Sequence, residues 1–191
     1  MESLTAIADT GQAAANWNEQ ACVQDCVKGN IAGQELFYKH FYPTMMAVVL
    51  RYTSDADDAC SILNNGFLKV FKNLKSFRNE GSLEGWVKRI VIHSVSDYFR
   101  YKHPLKEIPK DVLPENVAPF VPEHVPYDYR LLLKLLNGLP PATRTVINLF
   151  MIDGFTHKEI AKILGISENT SKWHVGEGRK LLQQKLDSVN K

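Results

Sequence analysis

Residues 154–182 read GFTHKEIAKILGISENTSKWHVGEGRKLL, and their spacing sets two helices on either side of one tight turn. Thr156 and Glu159 form a capping box, in which the Thr156 hydroxyl accepts from the Glu159 amide while the Glu159 carboxylate reaches back. The helix that follows turns Ile160, Ile163 and Leu164 inward. Gly165 ends it, because the turn needs a left-handed residue. Ile166 then plugs the core and Ser167 caps a second helix. Two short helices around a Gly-containing turn are the helix-turn-helix pattern, whose second helix enters the DNA major groove.

At 100° per residue, Ser171, Val175, Gly178 and Leu182 fall on one side of that second helix. Asn169, Lys172, Trp173, Gly176, Arg179 and Lys180 fall on the other, the side expected to face DNA. Asn pairs with adenine, and Lys and Arg with guanine or phosphate. A solvated basic face is the plain alternative, and Trp173 argues against it, since a large aromatic on an exposed side calls for something to pack on. Gly176 and Gly178 each cost roughly 1 kcal/mol of helix propensity, and a backbone approaching closely at Gly176 would compensate. Upstream, Leu139-Pro140-Pro141 starts a helix with Val146, Leu149 and Phe150 inward, stopped by Asp153-Gly154, and Leu131–Leu136 supplies another. The C-terminal unit is thus about four helices.

Outward from this unit, six of the nine prolines fall between His103 and Asp128. No helix or central strand survives that spacing, so an acidic, extended linker is expected over 103–128. It separates an N-terminal domain, 21–102, from a C-terminal one, 129–191, with residues 1–20 as a candidate disordered extension. Charge follows the same divisions. Residues 1–65 carry three Lys/Arg against eight Asp/Glu, 66–102 eight against three, 103–128 two against five, and 129–191 ten against five. Two basic blocks are the electrostatic footprint of phosphate binding.

The N-terminal half is also helical, so the fold class is all-α with two small helical domains. Ser54 is expected to cap a helix carrying Ile62, Leu63, Phe67, Val70 and Leu74 on one stripe. Pro43 is expected to break the chain between Phe41 and Met46. After a polar loop over Ser76–Ser82, a helix runs from about Leu83 to Tyr101. Its residues Arg89, His93, Ser96 and Arg100 form a polar stripe opposite Trp86, Val87, Ile90, Val91 and Tyr98. The loop before it carries Phe77, Arg78, Asn79 and Glu80. Cys22, Cys26 and Cys60 lack metal or disulfide spacing and are expected as reduced, buried thiols. No apolar run approaches the roughly 20 residues of a bilayer span, and no secretion signal is present, so the expected compartment is the cytoplasm. There is no nucleophile elbow, phosphate-cradling Gly loop or metal-spaced cluster, so neither an enzyme nor a metal or other cofactor is expected.

The run Leu139–Leu182, LPPATRTVINLFMIDGFTHKEIAKILGISENTSKWHVGEGRKLL, resembles region 4 of bacterial RNA polymerase sigma factors. Residues 55–77, DADDACSILNNGFLKVFKNLKSF, and 81–100, GSLEGWVKRIVIHSVSDYFR, resemble region 2, with Phe67, Trp86, Arg89, Asp97, Tyr98 and Arg100 in matching places. The chain is most similar to the two-domain extracytoplasmic-function group, and within it to Bacteroidetes members.

This resemblance implies a transcription initiation factor whose partners are core RNA polymerase, promoter DNA and, in many relatives, an anti-sigma factor. It implies a minus-10 site that captures single-stranded bases, on Phe77, Arg78, Asn79, Trp86, Lys88, Arg89, His93, Ser96, Asp97 and Arg100. It implies a minus-35 duplex site on Ser167, Asn169, Thr170, Lys172, Trp173, His174, Arg179 and Lys180. Polymerase docking falls on Asp57, Asp58, Asn64, Phe67, Leu68 and Phe71. This chain departs from the family's pattern at Cys60, Ser61, Asn64 and Asn65, where relatives show acids. It departs again at His93, where Asn is common, and at Ser171, usually aliphatic. A stand-alone helix-turn-helix regulator, binding duplex DNA as a dimer, is the competing reading.

Overall fold

The computed structural model describes residues 17–102 and 126–189. Most of the proline-rich linker and of residues 1–20 therefore lies outside the described residues. All regular structure among the described residues is helical. The first domain holds α1 (Glu19–Val27), α2 (Ile31–Leu50), α3 (Ala56–Asn73) with a short 3-10 turn (Leu74–Ser76), and α4 (Leu83–Lys102). The second holds α5 (Tyr127–Asn137), α6 (Pro141–Ile147) with a π-helical continuation (Asn148–Ile152), α7 (His157–Leu164) and α8 (Glu168–Val189).

Helix α2 runs straight through Pro43, contrary to the break expected there. The proline removes one helical N–H and costs about 3 kcal/mol. Phe37, Phe41, Met45, Val48 and Val49 are all buried on either side of it, and each buried apolar side chain of this size contributes about 1.5–3 kcal/mol. Packing on one face therefore outweighs the missing bond, while Pro43 itself sits on the exposed face. The cap of α3 is Asp55 rather than Ser54. Its carboxylate accepts from the Asp58 amide at 2.9 Å, and the Thr53 hydroxyl holds the Asp55 amide at 3.1 Å, which sets the start one residue later. The stripe Ile62, Leu63, Phe67, Val70 and Leu74 is buried as its spacing requires. Of the three cysteines, Cys22 and Cys26 are buried but Cys60 is exposed, on the edge of the stripe one turn into α3. Burial pushes the Cys26 thiol up to about 12, which makes it a packing group rather than a nucleophile.

In the second domain the Thr156–Glu159 capping box forms in both directions, and Gly165 closes α7 at φ 68°. The Ser167 hydroxyl caps α8 by accepting from the Thr170 amide at 3.0 Å. The expected helix from Pro141 widens after Ile147 into a π turn. Within it the buried Asn148 donates to the Arg144 carbonyl at 3.0 Å and, across to the first domain, to the Arg51 carbonyl at 2.8 Å.

The two domains are packed together. One continuous apolar cluster takes in the first-domain core and Leu133, Val146, Leu149, Phe155, Ile160, Leu164 and Val175 of the second. A smaller cluster of Leu136, Leu139 and Ile147 sits under the end of α8, against Leu181 and Leu182.

Candidate nucleic-acid interface

Helix α8 divides as its period dictates. Ser171, Val175 and Gly178 are buried, while Asn169, Lys172, Trp173, Gly176, Arg179 and Lys180 are exposed. The glycines differ in what surrounds them. A Cβ at Gly178 would lie 2.5 Å from Ile147 Cγ1 and 3.0 Å from Thr143 Cγ2, so this glycine lets α8 cross α6 closely. A Cβ at Gly176 would meet nothing within 4 Å. The close approach within the protein is therefore at Gly178, while Gly176 leaves a gap in the side-chain cover of the outer face. Trp173 is 48% exposed beside that gap, with its ring edge-on to His174.

Polar side chains buried beneath α8 anchor it. His157 Nδ1 and the Ser171 hydroxyl are 2.9 Å apart, and the His157 ring stacks on Phe150. The small polar Ser171 thus has a physical reason for standing where an aliphatic residue is usual. His174 Nδ1 lies 3.0 Å from the Thr143 hydroxyl, and burial lowers its pKa from the ordinary imidazole value. Of the upstream-duplex candidates, then, His174 turns inward to α6 and Ser167 and Thr170 are joined in the cap, whereas the other five lie on the open face.

On α4, Leu83, Val87, Val91, Ile92, Val95 and Phe99 are buried. Arg89, His93, Asp97 and Arg100 are exposed on the opposite side. Ser96 does not join them. It is 1% exposed, and its hydroxyl donates to the Ile92 carbonyl at 3.1 Å, because its angular position brings it beside Ile92 on the packed side. His93 is exposed, yet partial desolvation of its ring, with the Arg89 charge beside it, lowers its pKa from the ordinary imidazole value. Although burial alone would raise Asp97, Lys69 at 2.7 Å and Arg100 hold its carboxyl low. Trp86 is partly buried against Phe77, their ring centroids 5.4 Å apart. The loop before α4 keeps Arg78, Asn79 and Glu80 exposed, with Asn79 at φ 56°.

Two cations of α4 face the second domain. Lys88 Nζ is 2.7 Å from the Asp153 carboxylate, and Arg89 is 3.5 Å from Glu159, with its guanidinium 5.8 Å from the centre of the Phe155 ring. Asp153 also takes Arg51 Nη2 at 2.6 Å and the Tyr52 hydroxyl at 2.6 Å. Its own side chain is 0% exposed. The Tyr129 hydroxyl donates to the Ala47 carbonyl across the same boundary. Sequence reasoning did not find Asp153 as a hub, since a lone Asp before Gly reads only as a helix stop.

The outer face of α3 carries Asp57, Cys60, Ser61, Asn64, Asn65 and Leu68, the last 57% exposed. Asn64 accepts from the Tyr38 hydroxyl at 3.0 Å, and Asp58 from Tyr98. Phe67 is 2% exposed and Phe71 partly buried against Phe37, so of the six docking candidates these two pack behind the face rather than on it.

Comparison with known proteins matches residues 37–103 to the family described as Sigma-70 region 2 and residues 129–182 to Sigma-70, region 4. Together these stretches cover well over half of the chain. The chain is similar to the ECF RNA polymerase sigma-E factor of Haemophilus influenzae, 21% identical over 90% of this chain and 96% of that one. It is similar also to the RNA polymerase sigma factor SigZ of Bacillus subtilis, 25% identical over 80% and 86%. Among solved structures, the sigma factor RpoE from Bartonella quintana, in complex with the anti-sigma factor NepR, shares the fold. The likeness has a TM-score of 0.52 at 24% identity and covers 80% of this chain and 96% of that one.

Proposed function

Because the chain belongs to the extracytoplasmic-function sigma factors of the sigma-70 family, which are transcription initiation factors, we propose that its two domains recognise two promoter elements with separate faces. The exposed face of α8 reads an upstream, minus-35 duplex through Asn169, Lys172, Trp173, Arg179 and Lys180. The exposed face of α4 and the loop before it capture the separated strand of the minus-10 element. There Arg89 and Arg100 meet phosphates, and Phe77 and Trp86 offer flat surfaces for bases.

The observation that carries this reading is the presence of two cationic faces in one chain, one on each domain, each backed by a buried apolar side. The outer face of α3, centred on Leu68 with Asp57 and Asn64, is the surface we assign to core polymerase. An anti-sigma factor is a further proposed partner. Among the described residues no helix is long and apolar enough to cross a membrane, and we place the chain's work in the cytoplasm with the polymerase.

The division of labour is tested by replacing Arg89 or Arg100 with Ala and comparing transcription on a duplex promoter with that on a template melted in advance at the minus-10 position. A defect confined to the duplex template is expected for Arg89→Ala or Arg100→Ala, with upstream binding intact. Equal loss on both templates would remove the strand-capture role from α4.

A further inference from the structure

Resting on the two-face reading, we propose that Asp153 latches the two domains shut in the free chain, covering part of the strand-capturing face of α4 until the domains are drawn apart. Among the described residues, every hydrogen-bond and ion-pair partner of the Asp153 carboxylate lies in the other domain: Arg51 at 2.6 Å, Tyr52 at 2.6 Å and Lys88 at 2.7 Å. The carboxylate is fully buried, so these charge-assisted bonds escape most solvent screening. Around them lie the Asn148 bond to the Arg51 carbonyl, the Tyr129 bond to Ala47 and the Arg89–Glu159 pair. Nothing in the second domain's own helices requires an acid at 153, which ends the π turn as an ordinary C-cap. Its chemistry is spent wholly across the boundary, and two of the engaged cations, Lys88 and Arg89, belong to the α4 face.

Lengths make the closed form incompatible with the function. Helix α4 packs on α7 and α7 on α8. Packed helix axes lie about 8–10 Å apart, so the two DNA faces are separated by about 20 Å. Elements named minus-10 and minus-35 lie about 25 base pairs apart, or about 85 Å along a duplex at 3.4 Å per pair. The closed chain cannot cover both. Residues 103–125 reach at most about 80 Å when fully extended, so the covalent connection together with the widths of the domains permits that separation. The latch must break on the way to the promoter, and a polymerase that holds the domains at separate places supplies the difference in binding that breaks it.

The test uses the full chain with nitroxide labels at Lys72 and Gln183, both exposed, in a Cys60→Ser background, and reads their separation by pulsed electron resonance. The free chain is expected to give one short, narrow distance. Asp153→Ala leaves Arg51 and Lys88 unpaired only in the closed form, so the closed-to-open ratio should fall about a hundredfold or more, with long distances appearing. Neither domain loses an internal side-chain contact, so the helical circular dichroism should stay unchanged. Tyr52→Phe removes one bond of the three and should shift the ratio about fivefold to tenfold. Binding of a single-stranded minus-10 oligonucleotide by the free chain should rise in both variants in the same order, because the cations released, Lys88 and Arg89, belong to the α4 face.

A short, narrow distance retained in both variants, or a free wild-type chain already open, would overturn the latch. Transcription with core polymerase separates this from the reading beneath it. A wild-type chain that is closed but never initiates overturns the promoter reading alone. One that initiates while both variants remain closed overturns the latch alone.

Discussion

The two glycines of α8 should respond oppositely to the same substitution. At Gly178 an Ala Cβ would sit 2.5 Å from Ile147 Cγ1, 2.7 Å from Ile147 Cδ1 and 3.0 Å from Thr143 Cγ2. Carbon atoms prefer about 3.5–4.0 Å, so the overlap is about 1 Å. Ile147 is 1% exposed and Thr143 is tied to His174, so neither can retreat without disturbing α6. Overpacking of this kind costs about 1–3 kcal/mol, against about 1 kcal/mol regained from helix propensity. Gly178→Ala should therefore be neutral to about 2 kcal/mol less stable.

Gly176→Ala meets nothing within 4 Å and should gain about 0.5–1 kcal/mol. Urea unfolding followed by circular dichroism, with equal m-values required, measures both. In a chain of this size each kcal/mol is also about 2–4 °C in melting temperature. Equal stabilisation by the two alanines would refute the close crossing of α8 over α6.

Changing Lys172 or Arg179 to Ala should weaken binding of an upstream duplex by about 1–3 kcal/mol if the side chain reads a base, measured by competition across promoter variants; unchanged preference would leave that face merely solvated. Stability should also fall in acid through His174. Burial lowers its folded pKa, so the unfolded chain takes the proton first; the contribution is complete above the unfolded value of about 6.5 and is lost as pH falls through the folded one. Melting temperatures from pH 7.5 to 5 should decline less steeply in His174→Gln, and an identical slope would show that this imidazole does not titrate with folding.

Local signals were legible wherever one short stretch determines its own geometry. The Thr156–Glu159 box, the Gly165 turn and the outer face of α8 all follow from residue type and spacing within a few positions. Where tertiary packing competes, the sequence misleads. Pro43 reads as a break, yet Phe37, Phe41 and Met45 bury the helix on both sides of it. Ser96 matches the polar period of α4 by chemistry, but its hydroxyl is satisfied by the Ile92 carbonyl and can therefore be buried. Phe67 carries family resemblance and is core. The Asp153 hub joins residues about a hundred positions apart, Arg51 and Tyr52 with Asp153, and no local pattern encodes such a pairing. The same distance in sequence hid the docking of the two domains, since a proline-rich linker says that they can separate and not where they meet.

The most direct test of the central claim is run-off transcription on a promoter library with core RNA polymerase, with and without the purified chain. Initiation that depends on the chain and selects promoters sharing two spaced elements, together with weak duplex binding by the free chain, is the expected result. Absence of initiation on every promoter, with tight binding of the free chain to paired half-sites, would contradict it and make the protein a stand-alone helix-turn-helix regulator.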